Sequence, residues 1–565
     1  MQANRRKARQ NNLCRNWLMA VCALLSTLCS PVLLHAQTIT PSTFGMHIRC
    51  TPGSTGQNAD CQTPTPWPQI PESPDPNRPF GSLRMHDDGT KFGDIEAVQS
   101  PACNLSTTVG CNWAAFDAWI REARRHRIEL LYTLSKTPEW ACAKHHGCAP
   151  SDVPEDRASV SFLRQVRDRQ VDGRPAGCRS ADASDSGCIR YWEVWNEPNN
   201  GRSAWCGSIS DMVHVARLMR EVVTLFDSSA KVLAPGVGHT SAYNGTSCNA
   251  GGITGAEICA KWGKGNGNPE AYICEFLRQR GSAADDRRGR DYVDFIAWHS
   301  YPTHSRLLNM AEDSIVPRAD NIKAVMRDNG MTPCSSSAAI GCNQIWITET
   351  SWGAVQNSTK SENEIAAVTC GSAQGCPRIA PANDSARDCE RLDDRATFGC
   401  WADDQAAFLV KQHLIALSSG VSRVFWYWWE GQPWGTLWCK SPNGTIGCTS
   451  EAATKPYLQK AGHAYGAMQQ WLLGRSVTDC SSTAGIWSCT ISDASRPIAM
   501  VQWSVSGENT RNSNLKRAFD IYGTRAATPA TIGYMPILFE TWQEKAPAHP
   551  NAGAHTKPGV TVQSH

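Results

Sequence analysis

Eight strand-like segments, most of them separated by a helix-like one, run through residues 44–474. The strands read "FGMHI" (44–48), "GSLRMHD" (81–87), "IELLYTL" (128–134), "RYWEVWNEP" (190–198), "KVLAPGV" (231–237), "VDFIAWHSYP" (293–302), "NQIWITETSWG" (343–353) and "VSRVFWYWWEG" (421–431). Apolar residues at helical spacing fill 113–127, 157–169, 210–227, 320–330, 403–420 and 457–474, the third opening on Ser210 as a cap. The first crossover is rich in Pro and poorly helical. This alternation predicts a parallel α/β barrel wrapped by helices, a (β/α)8 TIM barrel.

After residue 474 the pattern changes to short strands between turns, "IWSCTISD", "PIAMVQWSVSG", "RAFDIYGT" and "MPILFE". They predict a small β-sandwich over 475–543, which the strand-like 37–43 can join. Residues 544–565 are polar and rich in Pro, Gly and Ala, as in a disordered tail. Residues 1–36 read as a secretion signal, with a basic start (Arg5, Arg6, Lys7, Arg9, Arg15), an apolar run and a small-residue site before Gln37. The alternative, a membrane anchor, would need a span that Ser26, Thr27, Ser30 and Pro31 interrupt. Removing five positive charges and no negative ones takes the net charge from +3 to −2, which offers nothing to nucleic acid.

Cysteine usage fits the same compartment. Of 25 cysteines, three lie in the signal, leaving 22 that fall largely into near neighbours. The pairs are Cys50/Cys61, Cys103/Cys111, Cys142/Cys148, Cys178/Cys188, Cys334/Cys342, Cys370/Cys376, Cys389/Cys400, Cys439/Cys448 and Cys480/Cys489, with Cys206/Cys248 and Cys259/Cys274 completing the set. Their polar, Gly- and Ser-rich settings suit stapled surface loops of a secreted or periplasmic protein. The spacings are long and irregular and lack repeated CxxC pairs, so neither a metal site nor a cofactor is expected.

Chemistry concentrates at the ends of strands. Glu197 closes the fourth strand in "WNEPN", and Glu349 lies at the same end of the seventh in "ITETSWG". In an eight-stranded barrel these strands face each other across the mouth, and two carboxylates meeting there is what glycoside hydrolysis requires. For Asn196 and Glu197 both to face inward, strict alternation must break, which predicts a bulge. There are 22 Trp against 13 Phe and 11 Tyr, and an indole face can stack on a sugar ring. No HExxH or GxSxG motif points to other hydrolase chemistry.

On these motifs the chain resembles the retaining glycoside hydrolases of clan A, and most of all its family 39. The resemblance covers about residues 44–474 and extends loosely into the sandwich. It implies Glu197 as acid/base, Glu349 as nucleophile, and Asn196 as a contact for the sugar 2-hydroxyl. Arg84 resembles the clan's buried arginine, and alternation also makes it a partner for Glu193. His299 and Tyr301 in "AWHSYP" match a pattern in which the tyrosine contacts the nucleophile. Trp426, Trp428, Trp140 and His86 are the remaining substrate-binding candidates. Trp429, His47, Asp87 and Glu430 also lie near the mouth, and His145 and His146 sit in the Cys142/Cys148 loop. The expected partner is an oligo- or polysaccharide. A transglycosylase working through the same intermediate, or a carbohydrate-binding barrel without catalysis, are the alternatives.

Overall fold

The computed structural model describes residues 38–50, 66–99, 110–143, 150–182, 186–199, 204–238, 269–301, 310–334, 341–351, 402–430, 437–439, 456–493, 496–504, 509–510, 517–533 and 535–540. The expected signal segment and C-terminal tail lie outside them, as do His145 and His146. No described helix is long and apolar enough to cross a membrane.

Eight parallel strands form the central sheet: β1 (Phe44–Met46), β2 (Ser82–Met85), β3 (Glu129–Thr133), β4 (Ile189–Glu193), β5 (Lys231–Leu233), β6 (Ile296–Ser300), β7 (Ile345–Thr350) and β8 (Val421–Trp426). Their order is β5-β4-β3-β2-β1-β8-β7-β6. Leu233 bridges Phe295 and Val237 bridges Trp298, so β5 meets β6 and the ring closes. The fold is a TIM barrel.

Helices cover the outside: α1 (Ala114–His126), α2 (Asp156–Asp168), α3 (Ile209–Thr224), α4 (Pro269–Arg278), α5 (Met310–Asp328), α6 (Ala402–Ser418) and α7 (Lys460–Leu472). In α1, Phe116, Ile120 and Ala123 are buried, while Arg124, Arg125 and His126 fill the last turn, where positive charge suits the helix dipole. The cap of α3 is Ser208, not Ser210. Its hydroxyl accepts from the Asp211 amide while the Asp211 carboxylate reaches back to the Ser208 amide. Helix α4 is absent from the sequence reading, and α5 begins ten residues earlier than expected. Pro317 inside α5 disguises that extension, because proline in a helix interior normally marks an end.

The barrel is filled rather than hollow. Leu131, Tyr191, Leu233, Phe295, Ala297, Trp346 and Phe425 form a buried lumen cluster. Arg423 lies 4.5 Å from the Tyr191 ring and 4.3 Å from the Trp346 ring, and pairs with Glu129 at 2.5 Å. This plugs the N-terminal end. On β1, a Cβ at Gly45 would stand 2.4 Å from the Phe425 ring, so only glycine lets that ring fill the lumen.

The C-terminal region is a six-stranded antiparallel sheet: β9 (Ser476–Thr483), β10 (Ile486–Asp493), β11 (Arg496–Ser504), β13 (Arg517–Phe519), β14 (Arg525–Ala526) and β16 (Ile537–Glu540), ordered β9-β10-β11-β16-β13-β14. A ribbon of β12 (Asn509–Thr510) and β15 (Thr531–Ile532) packs Ile532 with Ala518 and Phe539 of the sheet. Lys411 of α6 sits 5.7 Å from the Trp503 ring, where helix and sheet meet. At the N-terminal side, Ile39 exchanges backbone hydrogen bonds with Gly474 and Arg475, but Pro41–Thr43 turn into a short 3-10 helix rather than the expected strand, because Pro41 suits the first turn of a helix.

Disulfides join Cys178–Cys188, Cys334–Cys342 and Cys480–Cys489. The first two tie loops that lead into β4 and β7, at the closed end of the barrel. Cys50, Cys111, Cys142 and Cys274 are also disulfide-bonded, and the partners expected for them lie outside the described residues.

Candidate active site

Arg84 organises the mouth from below. It sits on β2 with its side chain wholly buried in the ring, and its guanidinium holds three partners at once, Nη2 also lying 2.5 Å from Glu193 Oε2. Nε donates to Glu193 Oε2 at 2.7 Å, Nη1 donates to Glu349 Oε1, and Nη2 donates to Asn196 Oδ1 at 2.8 Å. Thr133 of β3 adds a hydroxyl to Glu193 Oε2 at 2.7 Å. Burial opposes the arginine's charge, but Glu193 and Glu349 outweigh it and raise its pKa. A buried cation between two carboxylates is stable only with such partners.

The backbone breaks alternation twice to load this mouth. On β7 the pairing with β6 skips Thr348, so His299 stands opposite Glu349. After β4 the chain continues beside β5, with Asn196 bridging Gly236 and the Glu197 amide donating to Gly236 O at 2.7 Å. Glu197 then adopts a left-handed φ of 48°. Such strain in a residue with a Cβ collects at functional sites. It lets Asn196 reach Arg84 and Glu197 reach His299.

Glu197 and Glu349 face one another through His299. His299 Nδ1 is 2.7 Å from Glu197 Oε1 and 3.3 Å from Glu349 Oε2. The carboxylate and imidazole atoms concerned all lie within 4.8 Å of one another. Tyr301 donates its hydroxyl to Glu349 Oε2 at 2.7 Å. The Glu349 side chain is 7% exposed and that of Glu197 24%, so one carboxyl is sunk and the other is open to the mouth.

Burial pushes the Glu349 carboxyl up, but His299 and Arg84 outweigh it and hold its pKa below the ordinary value. The sequence reading has Glu197 raised by its negative neighbour, and here the structure corrects it. Burial does raise Glu197, yet the hydrogen bond and charge of His299 prevail and its pKa is lowered. His299 moves the other way: burial lowers it, but Glu349 and Glu197 raise it further. Both shifts act through the 2.7 Å contact between His299 Nδ1 and Glu197 Oε1 and favour the charged form of each partner.

A second polar group lines the β1–β2–β8 side. His47 donates Nε2–H to Thr348 O at 2.8 Å, and burial lowers its pKa to about 3, so the ring is neutral. Asp87 pairs with Lys91 at 2.7 Å and accepts from the Tyr427 hydroxyl at 3.0 Å. His86 is buried, with Nδ1 3.2 Å from Asp87 Oδ2. His47, Asp87 and Glu349 offer ligand atoms within 4.8 Å of one another, as do Glu197, His299 and Glu349. Arg84 and Tyr301 already engage Glu349, Lys91 engages Asp87, and His299 engages Glu197.

The tryptophans divide by strand alternation. Trp426 is not at the mouth: it is fully buried on the outer face of β8, against Phe408 of α6 at 6.2 Å. Phe425 takes the inward place, so the next inward residue is Tyr427. The sequence reading missed Tyr427, although continuing the same alternation reaches it. Trp428 is 5% exposed, stacked on Tyr427 at 4.5 Å and beneath Arg49 at 5.4 Å. Trp429 stacks on Trp438 at 6.4 Å. Trp140 is half-buried after β3, its indole N–H bonded to Glu96 O at 2.9 Å. Glu430 accepts from the Cys50 amide at 2.7 Å.

No protein-family model matches the chain, and no curated protein does. Its structural neighbours are glycoside hydrolases of families 39, 30 and 51. One is a family 39 glycoside hydrolase from Bacteroides cellulosilyticus WH2, at 11% identity over 89% of this chain and 81% of that one, with a TM-score of 0.48. Another is a family 51 α-L-arabinofuranosidase from Bifidobacterium longum, at 11% identity over 90% and 97%, with a TM-score of 0.48. A third is a family 30 subfamily 8 xylanase from Clostridium acetobutylicum, at 12% identity over 90% and 95%, with a TM-score of 0.45. What the site can do chemically follows from its own geometry.

Proposed function

We propose that this chain is a secreted retaining glycoside hydrolase, with Glu349 as nucleophile and Glu197 as acid/base. The carrying observation is that one atom, His299 Nδ1, touches both carboxylates, 2.7 Å from Glu197 Oε1 and 3.3 Å from Glu349 Oε2, with an oxygen of each carboxylate within 4.8 Å of one on the other, which favours the close pair of a retaining site. Retention needs carboxyls about 5–5.5 Å apart, whereas inversion needs about 6.5–9.5 Å to admit a water.

Each side chain has a task. Arg84 and Tyr301 hold Glu349 ionised and aimed, so its oxygen attacks the anomeric carbon and forms a glycosyl ester. As the bond to the leaving oxygen breaks, that oxygen takes a proton from Glu197. Before substrate binds, that proton is shared along the 2.7 Å contact between His299 Nδ1 and Glu197 Oε1, and it passes to Glu197 when substrate excludes water. Once Glu349 is esterified, Glu197 accepts a proton from water, whose oxygen attacks the same carbon and frees the sugar. Asn196 has its carbonyl tied to Arg84, which leaves its amide N–H groups for the sugar 2-hydroxyl. Trp428, Trp140, His86, His47, Asp87 and Tyr427 provide the walls for a neutral sugar. The disulfides favour an oxidising, extracellular or periplasmic setting.

A panel of 2-fluoro glycosides, followed by peptide mass mapping, tests the assignment. Stable label is expected on the peptide containing Glu349. Label on any other carboxylate sinks it.

A further inference from the structure

Three buried polar atoms converge on one backbone position below the mouth. A Cβ built on Gly236 would stand 2.6 Å from Glu193 Oε1, 2.7 Å from His299 Nε2 and 3.1 Å from Thr348 Oγ1. None of the three atoms has a hydrogen-bond partner among the described residues, and the three residues are fully buried. They come from β4, β6 and β7, whereas Gly236 follows β5 and is fixed by its backbone bonds to Trp195 and Glu197. Glycine is required here because even a methyl group would press on a carboxylate and an imidazole. A carboxylate oxygen, a ring nitrogen and a hydroxyl left together in a dry core are costly, and buried waters typically satisfy about three such groups.

We propose that a buried water molecule occupies the space over Gly236, held by His299 Nε2, Glu193 Oε1 and Thr348 Oγ1, and that it fixes the tautomer of His299. The inference rests on reading Glu197 as the acid/base. The water accepts from His299 Nε2–H and donates to Glu193 Oε1 and Thr348 Oγ1, so Nε2 keeps its proton in every state of the ring. The 2.7 Å contact between Nδ1 and Glu197 Oε1 then needs one further proton, which either atom can carry. Glu193 becomes a positioning residue: through the water its charge helps the His299–Glu197 pair retain that proton to higher pH. The titratable and charged groups facing the pair are Arg84 from β2 and His86 just after it, Glu193 from β4, and Glu349 from β7, with the Tyr301 hydroxyl after β6. Arg84 opposes retention of the proton, and Glu349 reinforces it.

Three measurements on the full chain test this. A high-resolution crystal structure is expected to show one ordered water within hydrogen-bond distance of all three atoms. A direct Nε2–Oε1 bond with no water overturns the proposal. In 15N-histidine spectra, His299 is expected to carry its proton on Nε2 on both sides of its titration. A neutral Nδ1–H form overturns it. Thr348→Val is expected to move the basic limb of kcat/KM down by about one pH unit for a glycoside with a poor leaving group, and Thr348→Ser, which keeps the hydroxyl, is expected to restore it. The rate on a dinitrophenyl glycoside, which departs without a proton, should stay within about twofold. An unmoved limb, or equal loss on both substrates, overturns the relay. If the wild-type chain cleaves no glycoside, the functional reading fails, while the crystal structure and the spectra still decide the water.

Discussion

His299 stands between Glu197 and Glu349, with Nδ1 2.7 Å from one carboxylate and 3.3 Å from the other. It therefore couples the two groups whose charges must differ for the proposed chemistry. Glu197→Ala removes the proton donor and leaves Glu349 and Arg84 in place. Turnover of a poor leaving group should fall about 10²–10⁴-fold. On a dinitrophenyl glycoside, whose leaving group departs without a proton, azide should restore turnover and yield a glycosyl azide of retained configuration, because it attacks the same ester without needing a base. Product of inverted configuration would rule out the double displacement.

Arg84 is the only cation contacting both Glu193 and Glu349 among the described residues. Arg84→Met leaves two carboxylates buried without it. Breaking a buried pair from one side costs about 3–5 kcal/mol, so the urea midpoint should drop sharply. In any folded fraction, the pKa of Glu349 should rise, and the acid limb of the pH–rate profile should move up with it. Arg84→Lys keeps the charge but cannot reach three partners, so it should fall between wild type and Met.

Two buried histidines tilt stability with pH in opposite directions. Burial brings His413 down from 6.5 to about 4, and its Nδ1–H donates to Leu409 O at 2.8 Å. Between those pH values the unfolded chain binds a proton that the folded chain refuses, so stability is lost on acidification, by roughly 3 kcal/mol once pH is below about 4. His299 is raised, so its contribution is complete below pH 6.5 and disappears as pH climbs through its folded pKa. Denaturation across pH should show His413→Gln flattening the acid side of the curve and His299→Gln flattening the neutral-to-alkaline side. Parallel curves for both variants would contradict these assignments.

Trp426 and Trp428 should separate stability from binding. Trp426→Ala empties a site against Phe408 and should cost about 3–5 kcal/mol. Trp428→Ala should raise KM several-fold for an oligosaccharide while moving the unfolding midpoint less. Steady-state kinetics beside thermal melts would decide, and an unchanged KM for Trp428→Ala would remove it from the sugar floor.

The Cys178–Cys188 disulfide ties the loop entering β4, at the end of the barrel away from the site. Replacing both with Ser should lower stability by about 2–4 kcal/mol. With the chain kept folded, kcat should not change. A selective loss of kcat at low temperature would mean that this loop reaches the mouth.

The order of elements was legible because periodicity is local: apolar alternation and helical spacing are set by neighbours in the chain. Glu197 and Glu349 could be read as opposed because the ring fixes which strands face each other. Alternation along β8 carries Tyr427 inward and Trp426 outward, and a fuller use of it would have placed both. The early start of α5 was hidden by Pro317, which locally reads as a helix end, whereas α4 carries an amphipathic pattern of its own that the alternation of strands and helices did not call for.

What the folded ring alone decided is the state of the protons and the convergence of distant atoms. Sequence supplies a glutamate beside a glutamate and suggests that repulsion raises Glu197. Only the position of His299 reverses that sign, because electrostatics depends on distance through space and on burial. The meeting of Glu193, His299 and Thr348 over Gly236 has the same origin. Three strands and the segment after β5 contribute one group each, and no spacing along the chain encodes their coincidence.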